Sequence, residues 1–117
     1  MKINEIVQIL DASVHNEHED ADCEVKSACA ADLMSDVLAF SKSSTVLLTG
    51  LMNPQVIRTA EMMDIVCIVF VRNKKPTAEM LSLARELGIA LLSTEYTMYY
   101  AAGKLYEAGL GKKNGNE

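Results

Sequence analysis

Residues 64–71, DIVCIVFV, restrict the fold more than any other stretch of the chain. The run is long, β-branched and almost without polar residues, so it reads as a strand. Two shorter apolar runs follow the same logic. Thr45 to Thr49, bounded by Ser-rich and Gly signals, reads as a strand buried on both faces, and Ile89 to Leu92 as another short buried strand. CEVKSACA, residues 23–30, alternates well enough for a strand carrying Val25, Ala28 and Cys29.

Helical patterns lie between these runs. Ile3, Ile6, Val7 and Leu10 have helical spacing, with an end near Asp11. Asp32 is placed to cap a helix whose stripe is Leu33, Met34, Val37 and Leu38. Asn53 is a good cap and Pro54 suits a first helical position, putting Val56, Ile57, Ala60 and Met63 inward. Pro76 is expected to open the next helix, with Met80, Leu81, Ala84 and Leu87 inward and Gly88 as its stop. From Thr94 a last helix carries Met98, Ala101, Ala102 and Leu105 to near Gly109. The order predicts a three-layer α/β/α sandwich around a mostly parallel sheet, with right-handed crossovers putting helices on both faces.

A length of 117 residues predicts one domain, over residues 1–110, with a disordered tail at 111–117. A chain of this size buries roughly two-thirds of its unfolded surface, so neither disulfide nor metal is needed for stability. The net charge of −5 argues against nucleic acid and anionic membrane as partners. No apolar run approaches 18 residues and the first residues start no signal peptide, so a cytoplasmic location is expected. Cys23, Cys29 and Cys67 are odd in number and form no Cys-x-x-Cys pair, as for free thiols in a reducing compartment.

In a parallel sheet, ligands bind beyond the carboxyl ends of the strands. Four joints would reach that edge: Ser27 to Asp32, Thr49 to Asn53, Val71 to Lys75 and Ser93 to Tyr96. Helix starts there favour an anion, Thr49 offers a hydroxyl, and Gly50 permits close backbone approach. Arg72, Lys74 and Lys75 are the basic cluster of that edge. Each joint also has a plainer reading. Gly after a strand and Asn-Pro before a helix are generic turn chemistry, Asp32 is only a cap, and Lys74-Lys75 is a solvated turn.

Other constellations are weaker. His15, His18, Glu19, Asp20 and Cys23 fall in HNEHEDADCE, residues 15–24; their spacing matches no defined metal site, and a solvated acidic loop is the better reading. No P-loop and no Gly-x-Ser-x-Gly occur, and with both His in one loop no Ser-His or Cys-His pair is evident. The expectation is no enzyme, no cofactor and no metal. Tyr96, Tyr99, Tyr100 and Tyr106 give the last helix amphipathic rings that suit an interface, a base-stacking surface or simple cover for the sheet edge.

VKSACAADLMSDVLAF, STVLLTGLMNPQVIRTAEMMDIVCIVFVRNKKP and ELGIALLSTEYTMYYAAGKLY together resemble the DRTGG domain family over about residues 1–110. AADLMSDVLAF and TGLMNPQVIRTAE carry the most specific part of the likeness. The family is similar in fold to the N-terminal domain of HPr kinase/phosphorylase, without its P-loop domain. Members stand beside CBS domains in regulated pyrophosphatases and in front of phosphotransacetylase domains. The resemblance therefore implies a regulatory, often dimer-forming module. The naming signature is absent: Leu51-Met52-Asn53 stands where an Asp-Arg turn would follow, and Arg72-Asn73 where a Gly-Gly turn would.

The expected function is that of a stand-alone regulatory domain, homodimeric, binding a small anionic ligand such as an adenine nucleotide or another phosphate-bearing molecule. Backbone amides at the Asp32, Asn53 and Pro76 helix starts would receive phosphate. Thr49 and Ser35 would add hydroxyls beside Gly50, and Arg72 or Lys74 a counter-charge. The alternative is a ligand-free module that contacts a protein partner through its Met- and Tyr-bearing helices.

Overall fold

A computed structural model of the chain describes residues 1–16, 23–40 and 42–111. The three apolar runs become β3 (Thr45–Thr49), β4 (Ile65–Phe70) and β5 (Ala90–Ser93), and nearly every residue in them is buried. Such strands must be covered on both sides, because side chains alternate between the faces. With β1 (Ser13–Val14) and β2 (Ser27–Ala30) they form one sheet in the order β1-β5-β4-β3-β2. All neighbours from β2 to β5 are parallel; β1 alone runs antiparallel, on β5.

Helices cover both faces, as the sandwich reading predicts. On one face α1 (Ile3–Ile9) and α5 (Met98–Glu107) pack Ile6, Leu10, Ala101 and Leu105 against Val46, Leu48, Cys67, Val69 and Leu92. On the other, α2 (Met34–Phe40), α3 (Pro54–Met62) and α4 (Ala78–Leu87) pack Val37, Val56, Ile57, Met80 and Ala84 against Leu47, Ile68, Phe70 and Leu91. Leu47 and Leu48, adjacent in sequence, serve opposite cores. Each fully buried aliphatic side chain contributes roughly 1.5–3 kcal/mol, so these two layers dominate the stabilisation of the fold.

Several boundaries differ from the sequence expectation. The first expected strand begins at Ser27 rather than Cys23; Val25 is buried ahead of it, and the backbone of Glu24 pairs with Lys2 in an isolated antiparallel bridge outside the sheet. Pro76 does not open α4. Thr77 does, its hydroxyl accepting the Met80 amide at 3.2 Å, so the Pro lies one residue outside the cap. α5 likewise starts after Thr97, whose hydroxyl accepts the Tyr100 amide, and not from Thr94. Gly88 does end α4, at φ 72°, the left-handed conformation that glycine adopts without strain. His18, Glu19 and Asp20 of the metal reading and residues 112–117 of the expected tail lie outside the described residues.

Candidate functional site

Because β2 to β5 run parallel, their carboxyl ends meet along one rim, and backbone hydrogen bonds lace the joints together there. The Ala31 amide donates to the Leu48 carbonyl (3.1 Å), Val71 to Thr49 (3.1 Å) and Thr94 to Phe70 (2.9 Å). Beyond β4, the Arg72 amide donates to Tyr96 (2.8 Å) and the Asn73 amide to Thr94 (2.7 Å). The β4–α4 turn is therefore held against the segment that leads into α5.

Gly50 is the centre of the rim. Its amide donates to Asp32 Oδ1 at 2.7 Å, and the Thr49 hydroxyl donates to the same oxygen at 3.0 Å. That hydroxyl also accepts the Leu51 amide (3.2 Å), while the Gly50 carbonyl accepts from Lys74 Nζ (2.9 Å). A Cβ on Gly50 would stand 3.0 Å from Arg72 Nη2, 3.6 Å from Lys74 Nζ and 3.7 Å from Asp32 Oδ1. Five of the seven residues expected from sequence thus converge: Asp32, Thr49, Gly50, Arg72 and Lys74. Neither Arg72 nor Lys74 forms an ion pair with a described residue.

Asp32 does not act as the expected cap. Its carboxylate turns to β3, and the amides of Asp36 and Val37 are received by the Leu33 carbonyl instead. Asn53 caps α3, its side-chain oxygen accepting the Gln55 amide at 2.8 Å, and makes no hydrogen bond to the Gly50 cluster. Ser35 is exposed on the first turn of α2 and is hydrogen-bonded to none of the five. Of the three amide groups expected to receive phosphate at helix starts, none is the donor at this centre; the Gly50 amide is.

Arg72 and Asn73 both have positive φ, 57° and 58°. Asn tolerates that conformation, whereas for Arg the left-handed region costs roughly 1–2 kcal/mol. The turn keeps a backbone that a Gly-Gly pair would adopt freely, and gains a guanidinium directed at Gly50.

No Ser-His pair is evident in the sequence, but the structure has one. His15 Nε2 lies 2.7 Å from Ser93 Oγ, and Ser93 Oγ donates to the Lys74 carbonyl at 2.6 Å. With the Ser proton committed to a carbonyl, His15 Nε2–H is the donor to Ser93, an arrangement that ties segments together and leaves no base for the hydroxyl. Burial and the nearby Lys75 charge hold His15 below its ordinary pKa. Beside it, Asn16 is buried and bonds β5 twice, Nδ2 to the Ile89 carbonyl and Oδ1 to the Leu91 amide, each 2.8 Å. These residues open the loop expected to be solvated; nothing in their local sequence marks partners more than 70 residues away.

The thiols take no part in the rim cluster. Burial pushes Cys67 up to about 12, and burial with the Asp36 charge raises Cys29. A cavity of about 460 Å³ lies between α5 and the outer strand β2, lined by Ala28, Ala30, Tyr99, Ala102, Gly103 and Tyr106 among others. Tyr96 and Tyr100 meet edge to face, centroids 4.7 Å apart, with Lys104 Nζ 5.9 Å from the Tyr100 ring.

No curated protein matches the chain. Among solved structures, the chain is similar to the CBS and DRTGG domains of the regulatory region of Clostridium perfringens pyrophosphatase, crystallised with its activator diadenosine tetraphosphate. The likeness has a TM-score of 0.78 at 13% identity and covers 98% of this chain but 51% of the other, so this chain spans about half of that one. The DRTGG domain matches residues 5–108, nearly the full length. The chain belongs to the DRTGG domain family.

Proposed function

We propose that the chain is a regulatory domain that reversibly binds a small phosphate-bearing ligand, an adenine nucleotide first among them, at the rim around Gly50. The observation that carries this reading is the convergence of Arg72 and Lys74 on a residue without a side chain. Two cations, a hydroxyl and a backbone amide there match the needs of a phosphate group. The regulatory setting and the ligand class draw support from the pyrophosphatase region, whose activator carries adenine and a phosphate chain. In this reading the domain is cytoplasmic, folds as one unit over residues 1–110 and is not an enzyme: the Ser93–His15 pair has its Ser proton committed, and the raised thiols are poor nucleophiles at neutral pH.

Binding regulates only if the ligand favours one of two states, and a two-fold dimer is the simplest second state. The groove between α5 and β2, with Tyr99 90% exposed and Tyr106 56%, is the surface through which a copy or a protein partner would act. That groove also favours the second reading, a ligand-free interaction module.

Thermal melts with ATP and ADP separate the two. A ligand at 100 times its dissociation constant adds roughly 2.7 kcal/mol to stability. The wild type should gain and Arg72→Ala should not. Identical melting of the wild type with and without every nucleotide would leave the interaction module standing.

A further inference from the structure

We propose that Asp32 is a displaceable internal anion, holding the site until a doubly charged phosphate takes its place. The proposal rests on the rim reading above and concerns how that site is filled. One oxygen of Asp32 accepts from both the Thr49 hydroxyl and the Gly50 amide, the two donors that a bound phosphate would use. Ligand and carboxylate therefore compete for one position.

Charge decides which anion suits the position better. Asp32 brings one negative charge to a place flanked by two cations, Arg72 and Lys74, and forms an ion pair with neither. A terminal phosphate or pyrophosphate brings about two charges and three acceptor oxygens, enough to hold the amide, the hydroxyl and both cations together. A carboxylate ligand or a singly charged phosphodiester offers no such advantage over Asp32. The site thus selects terminal phosphates, and the internal carboxylate sets the threshold.

The segment that must move is weakly held. Asp32 is exposed, and it leads into α2, where Val37 is the only described side chain fully buried while Leu33 and Leu38 stand 62% and 46% exposed. Few buried contacts mean a low cost of local opening. Displacing Asp32 therefore loosens α2, which turns occupancy of the rim into a change on the outer surface of the α2–α3–α4 layer.

The experiment is calorimetric titration of inorganic pyrophosphate into the wild type, Asp32→Asn, Asp32→Ala and Arg72→Ala, with circular dichroism to verify folding. Asp32→Asn keeps an acceptor oxygen and removes the charge; it should bind about tenfold more tightly than the wild type. Binding by the Asp32 variants alone would equally support an internal anion, one held more firmly. Amide exchange at Val37 should quicken when the wild type is loaded. Equal or weaker binding by both Asp32 variants, with the wild type binding, overturns the displacement and leaves the rim site intact. Failure of all four proteins to bind removes the rim site, and the displacement with it.

Discussion

Arg72 reaches across the rim until its Nη2 lies 3.0 Å from where a Cβ on Gly50 would stand. The close atom is the far end of a flexible side chain rather than backbone, and Gly50 itself has no left-handed φ. Gly50→Ala should therefore leave the fold stable to within about 1 kcal/mol, the usual gain from a stiffer unfolded chain offsetting a small push on the guanidinium. Anion affinity should fall, because the guanidinium is what gives way. Chemical denaturation and pyrophosphate titration of the same variant check the two halves. A large loss of stability would show that backbone, not Arg72, sets the limit at Gly50.

The left-handed φ of Arg72 separates its backbone cost from its side-chain use. Arg72→Gly removes both the strain and the guanidinium; Arg72→Ala removes only the guanidinium. Arg72→Gly should be more stable than Arg72→Ala by about 1 kcal/mol, while neither binds phosphate well. Denaturant midpoints at equal slope measure the difference. Equal stabilities would mean that the turn relaxes out of the left-handed region once the Arg is gone.

What could be read in the sequence follows from where each signal originates. β3 and β4 were legible because burial on both faces demands continuous apolar runs, and Gly88 because its conformation favours one residue type. The convergence of Thr49, Gly50, Arg72 and Lys74 followed from topology, since parallel strands deliver their carboxyl ends to one edge. Asp32 was misread as a cap because an Asp before a helix looks the same whether it bonds its own helix or a neighbouring strand. β1 was invisible: two exposed residues carry no pattern, and its place is fixed by pairing with β5. Thr77 and Pro76 are both good helix starters, so only geometry could choose between them.

His15 makes stability depend on pH in one direction. Burial first, and the charge of Lys75 second, lower its pKa in the folded chain below the ordinary 6.5. The unfolded chain then binds more protons in that range, so the contribution is complete above about 6.5 and is lost as pH falls from there through the lowered folded value. Because the ring is only half-buried, the effect is small and best seen as a difference. Denaturation at several pH values should show a slope in the wild type that His15→Gln lacks. A His15→Gln curve parallel to the wild type across that window would exclude His15 as its source.

Asn16 offers the most direct measure of how the amino-terminal segment is fastened to the sheet. Its amide satisfies the Ile89 carbonyl and the Leu91 amide at the same time, within a buried environment. Asn16→Ala strands both groups away from water, and buried polar groups without partners cost roughly 1–3 kcal/mol each. A loss of about 3 kcal/mol is expected, accompanied by faster exchange of the Leu91 amide. Asn16→Asp should do at least as badly, since a carboxylate oxygen would then face the Ile89 carbonyl. Because the same stretch carries His15 to Ser93, and Ser93 holds the Lys74 carbonyl, loosening it should also weaken anion binding at the rim. A loss under about 1 kcal/mol would mean that water replaces the Asn amide, and the rim would then be independent of this anchor.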